Sequence, residues 1–183
     1  MNKWRQKHSV MRRYNVTAEL YNVRYAEEQE AKYKAALSKV NIAGSVLDVG
    51  CGTGLIFSHI AAQAETVVGV DLSRGQLLKA REQAKDFGNV HLVQADADHL
   101  PVNGGYFALV FAFTVIQNMP EPAETLRELK RAGTRGGSIV VSGLKKTFSL
   151  EAFGALLRDE GFRVVFCEDD VRLQCYLAIV DQD

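Results

Sequence analysis

This chain is poor in cysteine and proline, with 3 of each in 183 residues. Cys51, Cys167 and Cys175 are an odd trio without C-x-x-C spacing, which argues against a disulfide framework and against a zinc site. Excess charge is lacking too: 22 basic and 22 acidic side chains cancel, so the molecule as a whole has no general attraction for nucleic acid or an anionic membrane, and no DNA partner is expected. No apolar run approaches the roughly 20 residues that cross a bilayer, and none near the N-terminus has signal-peptide length. A cytoplasmic location without a membrane partner is the resulting expectation. His8, His59, His91 and His99 are scattered without the spacing of metal ligands or a proton relay, and each reads as structural or solvated. No metal is expected.

What is present is 47% apolar content, enough for a single sizeable core in one domain. The most informative stretch is Val46-Leu47-Asp48-Val49-Gly50-Cys51-Gly52-Thr53-Gly54. An apolar run ending in an acid and followed by three alternating glycines describes a buried strand turning sharply around a ligand. The spacing is G-x-G-x-G; the dinucleotide fingerprint requires G-x-G-x-x-G, and residue 55 is Leu. Asp48 weighs the same way, because a carboxylate at the strand end would repel a pyrophosphate in one poorly solvated crevice. A cofactor bearing an amino acid reverses that sign. A second run, Val67-Val68-Gly69-Val70-Asp71, places another carboxylate about 20 residues beyond the loop, where a ribose diol is held. Cys51, within the loop, reads as a small side chain filling a tight turn rather than as a nucleophile.

Strand and helix patterns alternate along the rest of the chain. Residues 17–40 read as one or two amphipathic helices forming a lid outside the sheet, with Tyr21 and Tyr25, then Tyr33 and Leu37, at four-residue spacing. Before them, Lys3, Arg5, Lys7, Arg12 and Arg13 precede the first acid, Glu19, and read as a frayed, solvated terminus rather than a phosphate-binding arm. Residues 55–64 read as a helix whose first amides face the ligand. Ser73 with Gln76 forms a capping box for a helix through Lys85 closed by Gly88. Strands are expected over 90–95, 107–113 and 138–142, helices over 122–131 and 149–160, and two final strands over 163–167 and 174–180. The short polar link between the last two is too short for a parallel crossover, so the final strand must run antiparallel. The fold class is α/β: a doubly wound, mostly parallel seven-stranded sheet with its last strand reversed, helices on both faces and an N-terminal helical lid. The expected division is 1–41 for basic arm and lid and 42–183 for the sheet domain. Asp48, Asp71 and Asp96 all fall at the carboxyl ends of strands, where such sheets bind ligands.

On these motifs the chain resembles the seven-strand, S-adenosylmethionine-dependent methyltransferases, over roughly residues 42–180. The loop at 46–54 looks like that family's first motif, and 67–73, 92–101 and 107–119 like its second to fourth. Tyr14-Asn15, Ala18 and Tyr21-Asn22 are similar to the Tyr-Asp, Ala, Tyr-Asp pattern preceding the core in ubiquinone-biosynthesis-type and type 11 members, with Asn where Asp is usual. The resemblance implies that S-adenosylmethionine is the cofactor. Asp48 with Gly50, Cys51, Gly52 and Gly54 would then face the methionine moiety, Asp71 would accept from the ribose hydroxyls, and Leu72 would pack on adenine. Asp96 and the backbone of Ala97 would hold the adenine amino group. Phe113 and Thr114 would line the methyl-donating end, with Gln117 nearby and Tyr14 and Tyr21 on the lid.

The fourth motif departs from the family pattern. Ala108 stands where Phe-Asp is usual, and no proton acceptor or Asn-Pro-Pro-Tyr signature occurs in 113–118. Catalytic residues are therefore not assigned. The leading reading is methyl transfer to oxygen or nitrogen of a small molecule. Alternatives are a tRNA or translation-factor methyltransferase working with a small activator subunit, and a cofactor-binding module without transfer activity. A nicotinamide-dependent reductase on the same sheet is disfavoured by Asp48 and the glycine spacing.

Overall fold

The computed structural model describes residues 2–181, the side chains of 17–24 excepted. One sheet contains β1 (Ser45–Val49), β2 (Thr66–Asp71), β3 (Val90–Gln94), β4 (Phe107–Ala112), β5 (Gly133–Leu144), β6 (Arg163–Glu168) and β7 (Cys175–Asp181). Its order is β3-β2-β1-β4-β5-β7-β6, with β7 antiparallel to both of its neighbours and the remaining pairs parallel. The chain leaves β1 toward β2 and returns on the other side at β4, so the sheet opens a crevice at the carboxyl ends of these two strands.

The helices are α1 (Lys3–Leu37), α2 (Phe57–Ile60), α3 (Arg74–Ala84), α4 (Pro122–Ala132) and α5 (Leu150–Asp159). Two apolar clusters sandwich the sheet. Leu47 and Val49 of β1 pack with Leu126 and Leu129 of α4 and Phe153 of α5. Val46 lies on the opposite face with Tyr33 of α1, Phe57 and Ile60 of α2 and Ala80 of α3. Alternation along the strand accordingly puts Asp48 on the α1–α3 face, 3% exposed.

Four expectations need correction. The basic terminus is no frayed arm: Asn2 caps Trp4, and one continuous 35-residue helix follows in place of one or two helices over 17–40. Lys3 to Leu37 contains neither glycine nor proline, so nothing in the backbone interrupts it. The helix expected over 55–64 is only the four residues of α2, flanked by turns, and Phe57 N–H already donates to Gly54 O at 3.0 Å. Strand β5 spans 12 residues, because Gly133 already pairs with Phe107 and residues 134–137 form an irregularity before the ladder resumes at Ser138 opposite Leu109. The Gly136-Gly137 pair sits inside a strand instead of separating it from the preceding helix. Finally, Gly88 has no left-handed φ and does not close α3, which ends at Ala84 with Lys85 as its C-cap.

Candidate functional site

The crevice holds two adjoining cavities that share Gly50, Gly52 and Phe113. The larger has about 770 Å³ of free space, its mouth included, between the loops after β1 to β4 and the first half of α1. Its lining includes Asp71, Leu72, Asp96 and Ala97 together with Met11, Tyr14, Val115 and Met119. The smaller is ringed by polar groups of Gln29, Asp48 and Thr53 together with Tyr33 and Cys51. Gly50 makes the junction possible: its φ is +71°, and a Cβ there would run into Val115 Cγ2.

Asp48 is the electrostatic singularity of the site. Burial, and then the charge of Asp71, push its carboxyl up to about 7. Asp71 is also raised by burial, against backbone donors that favour its charged form. Gly52 N–H reaches its Oδ2 at 2.9 Å, and Ser73 N–H its Oδ1 at 2.7 Å. The Cys51 thiol is pushed well above its ordinary range by burial and by these two acids, which disfavours the nucleophilic thiolate.

At the far end, Lys7 of α1 bonds both carboxylate oxygens of Asp96, at 2.8 and 2.7 Å, and also Asp98. Burial pulls the Lys7 ammonium down, but the two carboxylates outweigh it and hold it above the usual lysine range. Lys3 pairs with Glu124 at 2.7 Å and Arg13 bonds Asn118 at 3.2 Å, so three of the five early basic side chains bind this chain itself. Across the cavity, Thr114 has a φ of 61°, a strained value for a β-branched residue. Three groups hold it there: its N–H donates to Ser142 Oγ at 2.7 Å, Lys32 Nζ donates to its Oγ1 at 2.8 Å, and Asn118 Nδ2 donates to its carbonyl at 2.8 Å.

Residues 47–141 match the family model described as a methyltransferase domain. The chain belongs to that family. Among its relatives, a demethylmenaquinone methyltransferase of Staphylococcus saprophyticus is 33% identical over 126 residues, 66% of this chain and 54% of that protein. A phosphatidylethanolamine N-methyltransferase of Cereibacter sphaeroides is 32% identical over 140 residues, 73% of this chain and 66% of that protein. The chain thus spans between about half and two thirds of the length of these relatives. The solved DhpI complex with S-adenosylhomocysteine superposes with a TM-score of 0.80 at 20% identity, covering 96% of each chain, which establishes the shared fold.

The methyltransferase cofactor, S-adenosylmethionine, suits these residues. An apolar cavity carrying Asp71 fits a nucleoside, and the adjoining polar one offers an uncompensated carboxyl to an amino acid's ammonium group. A pyrophosphate would meet the wrong sign there.

Of the residues anticipated from sequence, Tyr14, Asp71, Leu72, Asp96 and Ala97 line the larger cavity, Asp48 and Cys51 the smaller, and Gly50, Gly52 and Phe113 both. Gly54 lines neither; it leaves room for the core, since a Cβ there would lie 2.5 Å from Phe57 and 3.2 Å from Ala80. The side chain of Tyr21 falls outside the described residues, and Tyr25 is 44% exposed, away from both cavities. Sequence reasoning missed Lys7, Met11, Gln76 and Asn118. The only available signal was for Gln76, already marked as half of a capping box.

Proposed function

We propose that this chain transfers a methyl group from S-adenosylmethionine to oxygen or nitrogen of a small-molecule acceptor in the cytoplasm. The observation that carries this reading is the buried Asp48 carboxyl, titrating near neutrality with no cation among the causes of its shift, in a polar chamber beside an apolar one. Asp48 would hold the ammonium group, Asp71 the ribose, Leu72 the adenine face, and Asp96 with Ala97 the adenine amino group. When bound, the cofactor supplies a methyl already activated by a positive sulfur.

The protein's own work is then to place an acceptor and keep out water. Helix α1 covers the cavity, and Phe113, stacked on Phe111 at 5.4 Å, stands at the passage between its two halves. Val10, Met11, Val115 and Met119 supply an apolar wall suited to the body of an acceptor. No histidine lines either cavity among the described residues, and Asp71 and Asp96 are already hydrogen-bonded. This favours an acceptor that is nucleophilic without help from a protein base, such as a phenolate or an unprotonated amine. The names of the two relatives suggest demethylmenaquinone and phosphatidylethanolamine as first compounds to try. Internal pairing of Lys3, Lys7 and Arg13 weighs against an RNA substrate.

Calorimetric titration with S-adenosylhomocysteine and with NAD tests the cofactor assignment, and methyl transfer from labelled S-adenosylmethionine to those acceptors tests the reaction. Binding of the first ligand alone is expected, weakened by about 1 to 3 kcal/mol in Asp71→Ala. Binding of NAD alone overturns the assignment. Cofactor binding with no transfer to any acceptor would favour a non-catalytic binding module.

A further inference from the structure

Gln76, a residue that lines the larger cavity, carries a buried polar atom without a hydrogen-bond partner. It lies in the first turn of α3, is 1% exposed and lines the nucleoside side of the cavity. In a completed capping box its carboxamide would turn back to the N–H of Ser73. Only half of that box forms. Ser73 Oγ accepts from Gln76 N–H at 3.2 Å, but the Ser73 N–H donates to Asp71 Oδ1. Asp71 has therefore taken the donor that Gln76 Oε1 would have used.

The other end of the carboxamide is fixed as well. Gln76 Nε2 donates to the main-chain carbonyl of Tyr14 at 3.4 Å, a group that can only accept, so the amide cannot flip without opposing two oxygens. Oε1 is left without a hydrogen-bond partner. It faces the glycine loop, 3.8 Å from where a Cβ of Gly52 would stand, and Gly52 N–H holds Asp71 Oδ2. A buried acceptor without a donor is costly, and the cost is recovered when a ligand brings a hydroxyl.

We infer that Gln76 Oε1 is a second ribose acceptor beside Asp71, taking a hydrogen bond from one hydroxyl of the cofactor's vicinal diol. This rests on the cofactor reading above. Because the same side chain grips the Tyr14 carbonyl, it also ties the bound nucleoside to α1. Gln76 is thus a specificity residue that distinguishes ribose from deoxyribose.

The test is the binding of S-adenosylhomocysteine and its 2′-deoxy and 3′-deoxy analogues to wild type and to Gln76→Met, by calorimetry. In wild type both analogues should bind more weakly than the parent. In Gln76→Met, the penalty for losing one particular hydroxyl should shrink roughly three- to tenfold while the other is unchanged. Loss of the Tyr14 contact weakens all three ligands alike and cancels from these ratios. Penalties identical in wild type and variant overturn the inference. Should Gln76→Met not fold, the side-chain amide resonances of Gln76 in wild type decide: they should move with the parent and not with one of the analogues, and equal responses to all three overturn it. Failure of wild type to bind the parent ligand removes the cofactor reading itself.

Discussion

Asp48 makes binding and stability depend on pH in opposite directions. Its carboxyl titrates near 7 in the folded protein and at about 3.9 in an unfolded chain. Between those values the folded state holds more protons, so the free energy of unfolding falls as pH rises through that window. Thermal melts without ligand should show decreasing stability from about pH 4 to 7, and Asp48→Asn should flatten that part of the profile. A ligand's ammonium group needs the ionised form. Affinity for S-adenosylhomocysteine should accordingly rise with pH, approaching tenfold per unit below 7 and levelling above it. A pH-independent affinity in wild type would separate Asp48 from the ligand. The identity of this residue was legible in the sequence, since an acid after an apolar run and before glycines has few other uses. Its raised titration was not, because that depends on burial among groups from α1, β2 and the loop after β4.

The largest departure from expectation among the elements is α1. Local pattern marked its second half as helical, yet the first half, read as solvated, holds Lys7 against Asp96 and Asp98, with Thr125 Oγ1 also donating to Asp98. Removing the ammonium would leave two carboxylates, 16% exposed at Asp96 and 2% at Asp98, without the cation they share. Lys7→Met should therefore cost roughly 3 to 5 kcal/mol in urea unfolding. Lys3→Met, breaking a solvent-exposed pair with Glu124, should leave the urea midpoint nearly unchanged. Equal small effects would mean that Lys7 does not clamp the helix. Lys7 and Asp96 lie 89 residues apart, so no periodicity could announce the pair. The brevity of α2 and the extra length of β5 were hidden for a related reason. Helical propensity in 55–64 gave way to packing of Phe57 and Ile60, and the start of β5 at Gly133 is fixed by its pairing with Phe107 of β4, a neighbour in space.

Across the whole molecule, the larger cavity is lined by α1 and by residues at the carboxyl ends of four strands, so a ligand filling it should stabilise the domain as a unit. At 100 times its dissociation constant, S-adenosylhomocysteine should add about 2.7 kcal/mol. For a domain of this size that is an upward shift of about 5 to 10 °C in the melting midpoint, read by calorimetry or fluorescence, with no shift from NAD. Among the described residues no helix is long and apolar enough to cross a membrane. Net charge, alternation of strand and helix, the reversed final strand and the glycine loop could all be read along the chain, since each is local or follows from short links. The closing of α1 over the crevice, the two chambers of opposite polarity and the stranded acceptor of Gln76 could not. They arise where residues tens of positions apart meet and exclude water, and there burial and competition for hydrogen-bond donors set the chemistry.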